Sequence, residues 1–312
     1  MPLRFTLRQL EYFVAVGEAG GIAHAADRVS VSPPTISAAI TQLEEELGLR
    51  LFVRKHAHGL SLTQAGRQFL SQAKLVLSGA EALNRLAGDI SGQVQGPLNI
   101  GCLLTFAQLL VPALRRGFSD AHPSVRIRQF ELNQMEIFDR LRRGEIDVAL
   151  SYDMDLPVDL SFAPLRSLPP YAMMSQSHPL ADLPSITVEQ LKDHPMILLD
   201  LPISSEYFLS FFRLTGVKPN IVERTRDMEV LRALVANGFG YSIANIRPRN
   251  DLAPDGNKLR FIPVDGPVEP MQLGLIMAPD ARNVRTIDAF TEHCLKTMND
   301  WDFPGLPLAP QS

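Results

Sequence analysis

The sequence lacks a long apolar segment. Hydrophobic residues make up 46% of its 312 residues, yet no apolar run approaches the ~18 residues that a membrane-spanning helix needs. The first ten residues, MPLRFTLRQL, also lack the apolar centre and the small-residue cleavage site of a signal peptide. We therefore expect a cytoplasmic protein with no membrane partner.

Cysteine and recognisable catalytic sequences are also scarce. Cys102 and Cys294 lie far apart and outside any CxxC or Cys/His spacing, so the sequence predicts neither a disulfide framework nor a metal site. It contains no GxSxG, no glycine-rich phosphate loop and no HExxH. We therefore expect no enzyme activity and no cofactor. Redox sensing by Cys102 is disfavoured, because no second cysteine lies near it in the sequence.

Charge gives little indication of a nucleic-acid partner. The formal net charge is −4, and residues 1–95 hold nine Lys or Arg against eight Asp or Glu. Net charge is an average over domains that can have different roles. Because 312 residues exceed one ordinary core, two or three domains are expected, and each is read from its own pattern.

The first 62 residues have the pattern of a winged helix-turn-helix. Residues 7–19, LRQLEYFVAVGEA, place apolar residues at helical spacing, and Gly20 follows them. After the short Ala-rich segment IAHAADRVS, a second helix is predicted in SPPTISAAITQLEEELG. Ser32 is its expected N-cap, two prolines occupy its first turn, and Gly48 ends it. A short helix, a tight corner and a helix that opens with small polar residues form this motif.

The next segment, LRLFVRKHAHGLSLTQAG, predicts a two-stranded wing with its turn at His58-Gly59. Positive charge is concentrated there, where a phosphate backbone would pass. The residues concerned are Arg50, Arg54, Lys55, His56, His58 and Arg67.

A long helix is predicted from Thr63 to about Ile90. Its apolar residues recur at alternating steps of four and three, which is a coiled-coil seam. The seam consists of Phe69, Ala73, Val76, Ala80, Leu83, Ala87 and Ile90. It can pack on a second copy of the chain or on the chain itself, and the coiled-coil period favours a second copy.

Beyond a Gly- and Ser-containing linker at 91–97, strands alternate with helices. The order PLNIGCLL, FAQLLVPALRRGFSDA, VRIRQFEL, QMEIFDRLRRG, DVALSY predicts βαβ units around a parallel sheet. A second such unit begins near Tyr171, with strands near MILLD and YSIA. The final helix is expected from about Val284 to Met298, before a proline-rich tail.

The run AADRVSVSPPTISAAITQLEEELGLRLFVRKHAHGLSLTQAGRQFL resembles the DNA-binding domain of LysR-type transcriptional regulators. The likeness continues through GPLNIG, through LRRGEIDVAL at 141–150 and through GFGYSIA. It implies an α/β chain with a winged helix-turn-helix, a linker helix and a two-lobed sensor domain like type II periplasmic binding proteins. It also implies a small-molecule effector and homotetramers built as dimers of dimers.

On this resemblance we expect five segments. A DNA-binding domain at 1–62 precedes a dimerisation helix at 63–92; 93–165 and 266–300 form sensor lobe I, 166–265 form lobe II, and 301–312 form a tail.

The resemblance places DNA recognition on the second helix of the motif. Many members carry Arg or Lys along that helix, whereas this chain has Ala38, Ala39, Thr41 and Gln42, which disfavours guanine reading by a bidentate arginine. Contact with base edges is then expected from Ser32, Pro34, Thr35, Ser37 and Gln42. In the wing, Arg54 is expected to contact phosphates or the minor groove, and Lys55 is expected to contact DNA beside it. Capping or simple solvent exposure is the alternative role for each residue.

In an α/β lobe, ligands collect at the carboxyl ends of strands, near helix N-termini. The expected effector-binding residues are Cys102, Thr105, Ser151, Tyr152, Ser204, Ser205 and Arg226. N-capping is the alternative role for the hydroxyl residues, and a solvated surface position is the alternative for Arg226. Arg226 makes a carboxylate effector a candidate, and Tyr152 makes an aromatic one a candidate.

Two other classes use similar folds. A transport solute-binding protein or an enzyme is disfavoured by the missing signal peptide and catalytic sequences. A DNA-compacting protein without an effector is disfavoured by the well-formed sensor lobes.

Overall fold

The computed structural model describes residues 4–55, 59–90, 93–248 and 250–300, with the main chain alone at 54, 55, 59, 84–90 and 300. The chain divides into two compact units near residue 91. Within the described ranges, no helix combines the length and the hydropathy that crossing a membrane requires.

The first unit is a winged helix-turn-helix followed by a long helix. Its elements are α1 (Leu7–Ala19), α2 (Ile22–Val29), α3 (Pro33–Leu47), β1 (Phe52–Lys55), β2 (Gly59–Leu62) and α4 (Gln64–Ile90). The predicted caps are confirmed: the Ser32 hydroxyl accepts a hydrogen bond from the Thr35 N–H, and Gly48 ends α3 with φ 64°. β1 and β2 pair antiparallel. The predicted turn at His58-Gly59 falls largely on residues 56–58, which lie outside the described residues.

Phe13 is central to this unit's core. Its fully buried ring lies 5.4 Å from the ring of Phe52 in β1 and 5.3 Å from that of Phe69 in α4, measured between centroids. Ala25 and Ala26 in α2 are buried as well. Their small side chains let α2 approach α1 and α3 closely. The aromatic contacts thus hold the wing and the start of α4 against the three-helix motif.

The predicted seam of α4 divides into two parts. Ala73 is buried and Phe69 is partly buried in the core of the same unit. Further along, Val76 is 48% exposed and Leu83 is 69% exposed. The first part of the seam therefore packs within the chain. In the second part, Val76 and Leu83 present apolar side chains to solvent in the single chain, and the side chains of Ala87 and Ile90 lie outside the described part of the chain.

The described part of the second unit contains three sheets. Its elements, in chain order, are β3 (Gly96–Leu103), α5 (Leu104–Leu109), α6 (Val111–Ala121), β4 (Val125–Leu132), α7 (Gln134–Arg142), β5 (Val148–Tyr152), β6 (Ser161–Leu168), β7 (Tyr171–Ser175), β8 (Ile186–Thr187), α8 (Val188–Leu191), β9 (Pro195–Leu199), α9 (Ser204–Leu214), β10 (Asn220–Thr225), α10 (Met228–Ala236), β11 (Ser242–Ala244), β12 (Leu259–Asp265), β13 (Met271–Met277), the 3-10 turn Ala281–Asn283 and α11 (Arg285–Asp300).

Lobe I is built on one sheet and lobe II on the other two. The sheet of lobe I has the order β4-β3-β5-β13-β6, while lobe II holds β11-β7-β12-β8 and the parallel pair β10-β9. A bridge between Met196 and Tyr241 joins β9 to the segment before β11. The chain crosses between lobes after β6 and again after β12. β6 continues to Leu168, past the lobe boundary expected at residue 165.

Two expectations for lobe I are wrong. The segment FAQLLVPALRRGFSDA was expected as one helix, but the structure has α5 and α6 with Pro112 in the first turn of α6. Proline lacks the N–H that would continue the earlier helix. The sheet is also not wholly parallel, because β13 runs antiparallel to both β5 and β6. β13 returns from lobe II, so its direction depends on the crossing of the chain between lobes and not on a local βαβ unit.

Candidate functional sites

One face of α3 is buried and the opposite face is exposed. Ile36, Ile40 and Leu43 pack into the core of the first unit. Of the predicted DNA-contacting residues, Ser32, Pro34, Thr35 and Gln42 are exposed, and Ser37 is partly exposed. The face is therefore free to enter a groove of DNA.

The hydroxyl and amide groups on this face already have intramolecular partners. The Ser32 and Thr35 hydroxyls lie 2.8 Å apart, and the Gln42 amide donates to Glu46 Oε1 over 3.3 Å. Ser32 is thus an N-cap as well as a candidate contact. The Gln42 bond is long and exposed, so a base edge can replace Glu46 at little cost.

Sequence reasoning missed Glu44, which fixes the wing to α3. This carboxylate is buried, and its Oε1 accepts hydrogen bonds from the backbone N–H groups of Leu51 (2.7 Å) and Phe52 (3.0 Å). Its Oε2 accepts from Arg50 at 3.0 Å. Arg50, one of the predicted basic residues, is therefore paired inside the unit. Arg54 and Lys55 follow in β1, but their side chains are outside the described part of the chain.

Lobe I and lobe II enclose a cavity of about 260 Å³. Its walls come from the carboxyl ends of β3, β4 and β5 on one side, and from the segments that follow β9, β10 and β11 on the other. Most of the lining side chains are apolar, among them Leu103, Leu132, Met154, Leu199 and Phe208. An apolar cleft with a few polar groups is the usual form of a small-molecule site.

Four of the seven predicted effector residues line this cavity: Thr105, Tyr152, Ser204 and Arg226. Thr105 is the second residue of α5 and Ser204 is the first residue of α9. Tyr152 ends β5 and packs edge-on against Phe106, with ring centroids 4.9 Å apart. Burial raises the pKa of its phenol, so the hydroxyl remains neutral. Arg226 is exposed at the cavity mouth.

The structure does not bring Cys102, Ser151 and Ser205 to the cavity wall. Cys102 and Ser151 are fully buried inside the sheet of lobe I, since alternate residues of a strand point to opposite faces. The Ser151 hydroxyl donates to Gln134 Oε1, and burial raises the pKa of Cys102 to about 12. Ser205 is buried on the inner side of α9.

Two buried amide residues that sequence reasoning missed do line the cavity. Gln134 is buried, and its amide donates to the backbone carbonyls of Tyr152 (3.0 Å) and Met154 (3.3 Å). Asn245 is also buried and follows β11 directly. Asn245 directly follows the buried strand β11, and Gln134 lies two residues after the end of β4, so a search of every strand end would have found both.

Ile203 joins the two lobes beside the cavity. It precedes α9 with φ 70° and ψ −53°, and the Ser204 N–H donates to the Pro202 carbonyl over 2.8 Å. This is a γ-turn of the positive-φ form, which is rare and costly for a β-branched residue. The Ile203 side chain packs against the apolar cluster of lobe I around Ile137 and Phe138. Ile203 thus combines an unfavourable backbone conformation at the start of α9 with a side-chain contact to lobe I.

Comparison with known proteins decides the family. Residues 7–67 match the model of bacterial regulatory helix-turn-helix proteins of the lysR family, and residues 91–299 match the LysR substrate binding domain. The chain belongs to the LysR family of transcriptional regulators. This regulator therefore binds DNA and carries an effector-binding domain, and its relatives are transcriptional regulators, not enzymes.

Individual relatives match most of the regulator. It is 30% identical over 244 residues to the HTH-type transcriptional regulator CysB of Haemophilus influenzae, covering 76% of this chain and 74% of the relative. It is 31% identical over 237 residues to AlsR of Bacillus subtilis, covering 75% and 78%. Among solved structures, HinK of Pseudomonas aeruginosa is 32% identical with a TM-score of 0.63, covering 94% and 99%. A full-length OxyR variant of the same species is 26% identical with a TM-score of 0.69, covering 94% and 98%.

Proposed function

We propose that the regulator reads DNA with the exposed face of α3, assembles through α4, and responds to a small molecule held between its lobes. The single observation that supports DNA reading best is the capped α3, whose buried face leaves Pro34, Thr35 and Gln42 exposed together. In a helix-turn-helix this helix lies in the major groove with its N-terminal residues at the base edges.

The proposed DNA contacts divide into two kinds. Ser32, Pro34, Thr35, Ser37 and Gln42 meet base edges, whereas Arg54 and Lys55 in the wing meet phosphates. The first kind sets sequence preference and the second sets affinity without sequence preference.

A gel-shift experiment with the DNA upstream of the regulator's own gene tests this assignment. We expect binding to a pseudo-palindromic site. Gln42→Ala should relax preference at one base position, and Arg54→Ala should weaken binding to every sequence and reduce the salt slope by about one. Gln72→Ala, on an exposed glutamine of α4, is the control. Absence of binding at low salt would refute the proposal.

We propose that α4 forms the dimer seam and that dimers pair into tetramers in the cytoplasm. The exposed Val76 and Leu83 support the seam, because both side chains lie on one stripe of the helix and lack apolar cover in the single chain. Their spacing continues the stripe begun by Ala73, which is already buried.

Sedimentation of charged variants tests this assembly. Val76→Asp and Leu83→Asp should each dissociate the dimer, because a carboxylate buried without a partner is strongly unfavourable. Ser71→Asp adds the same charge on the exposed opposite side of α4 and should leave assembly unchanged. Unchanged assembly of both seam variants would indicate packing within the chain.

We propose the cavity as the effector site, with Thr105, Ser204 and Arg226 among the polar contacts. Of the two effector classes expected from sequence, carboxylate and aromatic, the apolar walls favour the aromatic class. Replacing Thr105 and Ser204 together by Val should abolish the response to an effector found by thermal shift, while DNA binding persists. Ser177→Val, outside the cavity, is the control. Hits that stabilise wild type and double variant equally would place the site elsewhere.

A further inference from the structure

We propose that the ligand of this cavity is an uncharged, largely apolar molecule that donates one hydrogen bond, from a hydroxyl or N–H group, to Asn245. The proposal rests on the function proposed above, in which the cavity holds the effector. It concerns the chemical class of that effector.

Asn245 supplies an acceptor that lacks a donor. Its side-chain nitrogen donates to the Leu168 carbonyl over 2.6 Å and to the Tyr207 hydroxyl over 3.1 Å. A carbonyl can only accept, so the contact with Leu168 fixes which end of the amide is Nδ2. Asn245 is only 6% exposed, and no donor among the described residues reaches its Oδ1. A buried acceptor left without a donor is unfavourable, and a ligand donor would satisfy it.

The neighbouring polar groups use their hydrogens elsewhere. The Tyr207 hydroxyl donates its one hydrogen to the Glu269 carbonyl over 2.5 Å and therefore accepts from Asn245. Gln134 directs both amide hydrogens to the carbonyls of Tyr152 and Met154. Neither Tyr207 nor Gln134 therefore has a hydrogen left to donate to Asn245 Oδ1.

The charged groups of the cavity disfavour an anion. Arg226 is the one basic residue among the described lining residues, whereas two acidic residues, Glu131 and Glu136, line the cavity, and all three are exposed. An anion would therefore meet two like charges and one opposite charge. The two carboxylates are themselves engaged: Glu131 accepts from the Gln129 amide at 2.7 Å, and Glu136 accepts from the Asn133 N–H at 2.9 Å. This leaves the apolar interior for an uncharged molecule.

The volume limits the size of the ligand. A dry apolar cavity of ~150 Å³ holds benzene, which has six non-hydrogen atoms. In proportion, a cavity of about 260 Å³ admits a ligand of about ten non-hydrogen atoms. 2-Naphthol has about this size, a single hydroxyl donor and no charge at neutral pH.

Calorimetric titration of the full chain with matched naphthalene probes tests the class. We expect 2-naphthol to bind at least about tenfold more tightly than 2-methoxynaphthalene, which has no donor, and than 2-naphthoate, which is an anion. Asn245→Ala should weaken 2-naphthol about tenfold and leave 2-methoxynaphthalene within about twofold. Ser177→Val, outside the cavity, should leave 2-naphthol binding within about twofold. The comparison of the three probes uses the wild-type protein alone. It therefore still tests the proposal if Asn245→Ala fails to fold.

Four results would overturn the proposal: equal binding of the methyl ether, tighter binding of 2-naphthoate, tighter binding of the cation 2-naphthylmethylamine, or no saturable binding of 2-naphthol. Tighter 2-naphthoate binding that is lost in Arg226→Ala would reject the class while keeping the cavity as effector site. DNA binding of the same preparation, measured by gel shift, reports independently on the regulator's function.

Discussion

The Glu44 carboxylate offers the sharpest test of how the DNA-binding unit is held together. It joins the C-terminal half of α3 to the start of β1 by two backbone hydrogen bonds and one ion pair. Three substitutions separate these roles. Glu44→Ala removes all three interactions, Glu44→Gln keeps an oxygen acceptor for the backbone, and Arg50→Ala removes the ion pair alone.

The expected magnitudes follow from burial. Leu51 and Phe52 are buried, so Glu44→Ala leaves two backbone N–H groups without an acceptor. Each unsatisfied buried donor costs about 1–3 kcal/mol, and the unit should therefore lose about 2–6 kcal/mol of its free energy of unfolding. Glu44→Gln should cost about 1–2 kcal/mol, because a neutral acceptor is weaker than a carboxylate. The Arg50 side chain is 83% exposed, so its loss should cost less than about 1 kcal/mol.

Hydrogen exchange resolved by peptide is the suitable assay, because a chain of two units need not unfold in one transition. Peptides covering α3 and β1 should lose protection in the order Arg50→Ala, Glu44→Gln, Glu44→Ala, while peptides from the lobe I sheet keep theirs. If Arg50→Ala cost as much as Glu44→Ala, the ion pair would stabilise the unit more than the backbone bonds do. If Glu44→Ala matched wild type, the reasoning from burial would be refuted.

Three further predictions concern other residues. Cys102, whose pKa burial raises to about 12, should resist alkylation at pH 8 in the folded chain and react readily in denaturant; rapid labelling of the native protein would contradict its burial. Gly66→Ala should strongly destabilise the first unit, since the new Cβ would lie 2.1 Å from the Leu51 carbonyl oxygen, whereas unchanged protection of α4 would contradict that geometry. Burial alone would raise the pKa of Glu18, but bonds and charges from Lys74 and Arg28 outweigh it and leave the pKa below its ordinary value of 4.5. Its stabilising contribution is therefore present above that value and lost as the pH falls through the lower folded pKa, so Glu18→Gln should reduce the pH dependence of unfolding between about pH 5 and 3.

The helix-turn-helix was predictable because its signals are local. Ser32, the two prolines and Gly48 specify the ends of α3 within the segment itself, whatever it packs against. The role of Glu44 was not visible, because a glutamate in EEEL on a helix reads as solvated surface. Glu44 becomes buried only because the start of β1 packs against α3.

The lobes were predictable in part. Strand and helix positions follow from periodicity, but the direction of β13 depends on where the chain crosses between lobes, which is a long-range property. The cavity residues were also predictable only where local signals placed them. Thr105, Tyr152, Ser204 and Arg226 were found because strand ends gather at one edge. Asn245 was missed because its position depends on bonds to Leu168 and Tyr207, which are distant in sequence.

Those same bonds connect Asn245 to both segments through which the chain passes between lobes. Leu168 ends β6, just before the first crossing, and Tyr207 donates to Glu269, which lies in the second crossing between β12 and β13. A ligand bonded to Asn245 would therefore contact a side chain whose partners lie at both connections. A ligand shifts the balance between two lobe arrangements only by the difference in its affinity for them. Asn245 provides such a difference if its Oδ1 accepts from the ligand in one lobe arrangement and not in the other. A single hydrogen bond would then favour the first arrangement by about tenfold.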